Sequence, residues 1–450
     1  MADWLRDIIQ SHKNGAAVGI FSVCSANRFV IKAAIQQARA DQTPVLIEST
    51  SNQVDQFGGY SGMTPDEFAN FVGEIGDQLG FPRERLIIGG DHLGPNVWRD
   101  RPAEDAMNLA GEQIRAYVEA GFHKIHLDTS MRCANDPGAK EAPLDPEIIA
   151  RRAAKLCRIA EDTFNNSNPN DTPPVYIIGT EVPPPGGARE KLEVIEPTRV
   201  ENLKETIELT RRAFYDSDLQ SAWERVVAVV VQPGVEFGDM TIVEYNRSKA
   251  APLKQFIESN PQMVYEAHST DYQQPSKLKE MVEDHFAILK VGPALTFAFR
   301  EAVFALEALE REWLGSKKNI QLSNLSETME TVMLSNPRYW EKHYPGNKEY
   351  QRLARKYSYS DRIRYYWPHP TAEKALKILL SNLSQNPPPL NLISSFLPHQ
   401  YRSIREGIIR NDPYDLIYHK IRETLQGYVD AVNLKAYRSK EKKERITPIS

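Results

Sequence analysis

VVAVVVQ, residues 226–232, is the stretch whose reading decides the fold: five valines and an alanine, ended by one amide. A run so short and so uniformly apolar reads as a strand buried on both faces, which is the environment of a parallel sheet. Seven similar runs lie around it. Ala17 to Cys24, Val45 to Ser49, Leu86 to His92, Lys124 to Asp128 and Val175 to Glu181 come before, and Met263 to His268 and Phe286 to Gly292 come after. The gaps between them are long enough for a helix, so the pattern is βα repeated eight times. The expected class is α/β, a (β/α)8 TIM barrel. Its strands end at one mouth, where such barrels build their active sites. Here the trailing residues include Glu48, Asp91, His92, His126, Asp128, Glu181, Gln232, His268 and Lys290.

Between the runs, helical spacing covers Leu5 to His12, Arg28 to Ala40, Ala103 to Ala120, Asp145 to Phe164, Thr198 to Tyr215, Ile242 to Ser259, Pro275 to Asp284 and Ala294 to Glu312. Thr64-Pro-Asp-Glu67 supplies an N-cap, a proline at the first helical position and early acids, and predicts one more helix start. Around Leu314 the alternation stops. The reading is therefore a barrel over residues 1–313 and a helical C-terminal extension over 314–450, packed on the barrel. This extension is rich in aromatics and interrupted by Pro337, Pro345, Pro368, Pro370 and Pro387 to Pro389.

Composition excludes several classes. A net charge of −5 and a pI near 6.1 carry no nucleic-acid footprint, which needs a clustered basic face. Three cysteines, Cys24, Cys133 and Cys157, without C-x-x-C spacing, point to a reducing compartment rather than a disulfide framework. No apolar run approaches the ~20 residues of a membrane span, and the N-terminal residues lack the pattern of a signal peptide. A cytoplasmic, homo-oligomeric protein is expected. There is no G-x-x-x-x-G-K-[ST] and no G-x-G-x-x-G, so no nucleotide is expected either.

The sharpest constellation is Gly89-Gly-Asp-His-Leu-Gly-Pro-Asn96. An imidazole can ligate a metal while the adjacent carboxylate moves a proton; the blander reading makes Asp91 a helix cap and His92 a core histidine. Glu181, before a Pro- and Gly-rich loop, is a second candidate acid. His92, Glu181 and His268 offer nitrogen and oxygen ligands from three strands, a set that suits a divalent metal, Zn²⁺ first and Mn²⁺ or Mg²⁺ as alternatives. His126 and Asp128 share a strand face. Lys290 and Gly292 run into a helix start, where a barrel commonly holds phosphate; the alternative is a buried ion pair for Lys290. Ser25, Glu48, Asn52, Asn96, Gln232, Ser269 and Asp271 complete the candidates, with His126 and Asp128, for binding substrate or phosphate, here a ketohexose phosphate.

The motifs SVCSA (22–26), IESTSNQVDQFGGYSGMTP (47–65), GGDHLGPN (89–96), KIHLD (124–128), IGTEVP (178–183), VVQPGVEF (230–237), VYEAHSTDYQ (264–273), FAILKVGPALTFA (286–298) and SDRIRYYWP (360–368) together resemble one family. It is the larger, non-catalytic subunit of bacterial class II D-tagatose-1,6-bisphosphate aldolase, whose members have also been labelled tagatose-6-phosphate kinases. More distantly the barrel is similar to class II aldolases. That likeness implies proton transfer by Asp91, zinc ligation by His92 and His268, and phosphate binding at Lys290 to Ala298. Where those enzymes carry a further zinc histidine after strand six, this chain reads Gly234-Val-Glu-Phe-Gly238, with Glu236 or Glu181 left to complete the set.

Two functions follow from the resemblance. One is an accessory subunit that binds a catalytic aldolase chain in tagatose-phosphate metabolism. The other is a metal-dependent 4-epimerase interconverting tagatose 6-phosphate and fructose 6-phosphate, with Asp91 and Glu181 moving protons. A kinase is disfavoured, because no phosphate-cradling loop is present.

Overall fold

The computed structural model describes residues 2–139, 142–179 and 195–439. Eight parallel strands close into a barrel: β1 (Ile20–Cys24), β2 (Val45–Thr50), β3 (Leu86–Leu93), β4 (Lys124–Leu127), β5 (Val175–Ile178), β6 (Val226–Val231), β7 (Val264–Ala267) and β8 (Ile288–Val291). Each pairs with its neighbours in chain order, and β8 returns to β1 through the register Ile20↔Ile288 to Val23↔Val291. All eight expected strands are present, mostly shortened at their ends. Every residue of β3 to β8 is buried, which is why these runs show no polar alternation.

Local chemistry sets the helices between them. The Asn27 side chain accepts from the backbone N–H groups of Phe29 and Val30 at the start of Arg28–Asp41. Thr64 and Glu67 form a reciprocal capping box ahead of Pro65–Gln78. One helix differs from the sequence reading: the segment expected from Ile242 starts at Arg247 instead. Ile242–Val243 pairs antiparallel with Glu236–Phe237, and Asn246 caps the helix Arg247–Glu258. The β-branched pair favours the extended ribbon, and the asparagine, not the apolar periodicity, marks the true boundary.

The outer ring is completed by a helix of the C-terminal extension. The helix Pro413–Val432 packs against Arg28–Asp41, Pro275–Glu283 and Pro293–Leu314. Its Tyr428 ring meets Phe21 of β1 at 5.9 Å, and its hydroxyl donates to the Thr270 carbonyl at 2.8 Å. Another part of the extension, the short turn Arg362–Tyr366, reaches the barrel mouth and places Arg364 and Tyr365 in its wall.

Candidate functional site

At the mouth, β3 solves a geometric problem. Adjacent strand residues normally point to opposite faces, yet Asp91 and His92 both line the cavity. The register of β3 against β4 shifts between Gly90 and Leu93, and His92 takes a φ of 51°. This local bulge turns both side chains toward the mouth. Gly94 is required just beyond, because a Cβ there would lie 1.7 Å from the Asp128 carbonyl oxygen.

Beneath the mouth sits an ionic network of alternating sign. Lys124 Nζ lies 2.8 Å from both Glu48 Oε1 and Glu266 Oε2, in contacts that are ionic rather than well-angled hydrogen bonds. The Lys290 ammonium contacts Glu48 and stands 3.1 Å from Asp91 Oδ1 and 3.8 Å from Glu266 Oε1. All five side chains are buried. Burial opposes the charge on Lys290, but Asp91, Glu48 and Glu266 outweigh it and hold its pKa well above the usual lysine value. Likewise burial would raise Asp91 and Glu266. The attraction of His92 and Lys290 for the first, and of Lys124 and Lys290 for the second, holds both well below the carboxylate range.

Three imidazoles crown this network, with ring centroids 4.8 to 5.3 Å apart among His92, His126 and His268. His126 Nδ1 is 2.9 Å from Asp91 Oδ1, His268 Nε2 is 3.0 Å from Glu266 Oε1, and His92 Nδ1 is 2.8 Å from Asp128 Oδ2. Burial lowers His268 to about 4 despite the nearby carboxylates, so its ring is neutral at physiological pH. For His92 burial is outweighed by Asp91 and Asp128, and its pKa is raised.

The resemblance to class II aldolases implies a divalent metal, and the residues fit one. Asp91, His126, Glu266 and His268 each present a ligand atom, all within 4.8 Å of one another. His126 Nε2 is buried without a hydrogen-bond partner, as a ligand nitrogen awaiting a cation would be. Two imidazoles with two carboxylates form a donor set suited to Zn²⁺ and to neighbouring divalent ions. Of the ligands suggested by sequence, His268 belongs to this group. His92 stands beside it, its Nε2 3.7 Å from Asp91 Oδ2. Glu236 lies outside it in the ribbon: its Oε1 accepts from the Phe237 N–H, and burial raises it to about 7. Glu181 falls outside the described residues.

The other candidates divide. Asn52, Ser269, Asp271, Lys290 and Gly292 line the same cleft as Asp91 and His92. Ser25 lines an adjoining larger cleft. Gln232 accepts from the N–H groups of Gly234 and Val235, a turn-forming role, and Asn96 sits in the short turn Pro95–Trp98, outside either cleft. Asp271 caps the helix Pro293–Leu314, accepting from Gly292 N at 3.0 Å and Ala294 N at 2.8 Å. The N–H groups that the sequence suggested for phosphate thus already hold a carboxylate.

Lys124 and Glu266 escaped the sequence reading, though each lies two residues before a nominated histidine and shares its strand face. Cys24, Gln53, Tyr60, Arg364 and Tyr365 were also missed. For Arg364 and Tyr365 the available signal was the SDRIRYYWP motif, which carries no local mark of where it docks.

Comparison with known proteins places these features in context. Residues 5–433 match the family described as D-tagatose-1,6-bisphosphate aldolase subunit GatZ/KbaZ-like. The crystal structure of a probable tagatose 6 phosphate kinase from Sinorhizobium meliloti 1021 is 46% identical, with a TM-score of 0.82 over 92% of this chain and 100% of that one. The YdjI aldolase of Escherichia coli K12 matches at 12% identity and a TM-score of 0.39, covering 84% of this chain and 97% of its own. A fructose-bisphosphate aldolase from Campylobacter jejuni matches at 14% and 0.39, covering 85% and 92%.

Proposed function

The chain belongs to the D-tagatose-1,6-bisphosphate aldolase subunit GatZ/KbaZ-like family, and we propose that it serves as the accessory subunit of a class II D-tagatose-1,6-bisphosphate aldolase in tagatose-phosphate metabolism. One observation carries the accessory reading beyond the family match. A bisphosphate needs two anion sites, yet the Lys290 ammonium is held by Glu48 and Asp91, and the adjoining helix start is capped by Asp271. The mouth therefore suits a ketohexose monophosphate ligand better than turnover of a bisphosphate. The test is co-expression with a catalytic class II aldolase chain. Co-purification and a longer-lived aldolase activity are expected, while the isolated chain should not cleave tagatose 1,6-bisphosphate. Absence of association would reject the reading.

A second reading, a metal-dependent epimerase acting at C4 of tagatose 6-phosphate, is favoured by the convergence of Asp91, His126, Glu266 and His268. When bound there, a divalent ion would polarise the oxygens of a substrate. In this reading Asp91, kept anionic by His92 and Lys290 against the effect of burial, would act as the proton acceptor. Fructose 6-phosphate formed from tagatose 6-phosphate by the purified chain with Zn²⁺, Mn²⁺ or Mg²⁺, and lost in Asp91→Asn, would establish this activity. No product under any of these metals would reject it.

A further inference from the structure

We infer that Arg364, delivered to the mouth by the C-terminal extension, is the phosphate-binding residue for a ketohexose monophosphate, with Tyr60 and Tyr365 beside it. The inference rests on the sugar-phosphate pocket of the preceding reading and names the group that recognises the anionic end of the ligand. Among the described residues, two lysine or arginine side chains line the inner cleft, Lys290 and Arg364. Lys290 is neutralised by its carboxylate neighbours. Arg364 meets neutral acceptors instead: its guanidinium donates to the carbonyls of Ser360 and Asp361 and, at 3.1 Å, to the Tyr365 hydroxyl. None of these partners cancels its charge, and a five-donor fork retains N–H groups for a phosphate oxygen.

Placement supports the same assignment. Arg364 lines both the inner cleft and the adjoining larger cleft, together with Cys24, Gln53, Tyr60 and Gly292, so it stands where the two meet. A ligand reaching inward from there would carry its carbon chain toward Asp91 and His268. Two acids, Asp361 and Asp271, lie within charge range of Arg364. Burial raises Asp361 to about 7 and Asp271 to about 6, against the pull of Arg364 in both cases. The side chain is aimed by its own backbone: Asp361 adopts a φ of 48° ahead of the turn Arg362–Tyr366, and its carboxyl accepts from Thr296 Oγ1 at 2.6 Å.

Isothermal titration of the full chain with tagatose 6-phosphate, fructose 6-phosphate, inorganic phosphate and unphosphorylated tagatose tests the assignment. Arg364→Gln is expected to weaken both esters and inorganic phosphate by about 10- to 100-fold, the range of a charge-assisted hydrogen-bond pair, while tagatose affinity stays the same. Arg364→Lys should fall between, keeping the charge without the fork. On the unaltered protein, inorganic phosphate should compete with the esters but not with tagatose, a result that does not depend on any variant folding. Esters bound as tightly by Arg364→Gln, an equal loss for tagatose, or no ester binding by the unaltered chain would each overturn the inference. Association with a catalytic aldolase chain is read separately by co-purification, so loss of anion recognition and loss of the subunit role are distinguishable.

Discussion

Lys124 sits between Glu48 and Glu266 with none of the three exposed, and its removal would strand two carboxylates in the barrel interior. Lys124→Met is therefore expected to lower the unfolding free energy by about 3–5 kcal/mol in urea titration, as breaking a buried ion pair does. A loss below about 1 kcal/mol would mean that Lys290 alone balances both acids. At the same scale, His268→Ala should weaken Zn²⁺ binding, measured by equilibrium dialysis, by more than the roughly 10- to 100-fold typical of losing an outer partner. Unchanged affinity would remove His268 from the ligand set. Individual residues of this site were unevenly legible in the sequence. Asp91, His92 and His268 stood out because they end apolar runs in glycine- or serine-rich contexts. Lys124 and Glu266 did not, because a charged residue inside a strand shows its partner only when strands two to eight have closed around it.

Among the elements, the turn Arg362–Tyr366 is tied to the helix Pro293–Leu314 in part through one buried carboxyl, that of Asp361, which accepts from Thr296. Burial raises Asp361 from 3.8 to about 7, so the folded state holds a proton that the unfolded chain has released. Stability from this group is complete below about pH 4 and is lost as pH rises through about 7. The thermal midpoint of Asp361→Asn minus that of the unaltered protein should accordingly grow between pH 4 and 7. A difference that shrinks over this range would contradict the raised pKa. Helix starts with side-chain caps, such as Thr64 and Asn246, carry their own boundary in the sequence. The Arg362 turn carries none, since it is held by a helix far from it in the chain.

Considered as a whole, the molecule is a barrel whose outer ring is finished by its last long helix. Tyr428 on that helix covers Phe21 of β1 and bonds the loop after β7, while Gly19 donates to the Val432 carbonyl. A chain ending at Leu314 should therefore expose the outer face of β1 and of the helix Arg28–Asp41. It is expected to bind a hydrophobic dye and to show no cooperative unfolding. A sharp thermal transition for that fragment would show that the barrel closes without the extension. No helix among the described residues is long and apolar enough to cross a membrane.

What the sequence determined by itself is the eightfold βα pattern. Doubly buried strands must be apolar throughout, and capped helices must alternate with them, so the barrel is written in composition and period. The polar residues at the strand ends were equally visible, because a polar residue at the end of an apolar run breaks the pattern that precedes it. The tertiary structure alone decided which of those residues meet. The bulge that turns Asp91 and His92 together, the pairing of Lys290 with Glu48 across 242 residues, and the arrival of Arg364 at the mouth all depend on contacts between distant segments. Such contacts leave no local spacing to read, since their partners are set by closure of the barrel and by docking of the extension.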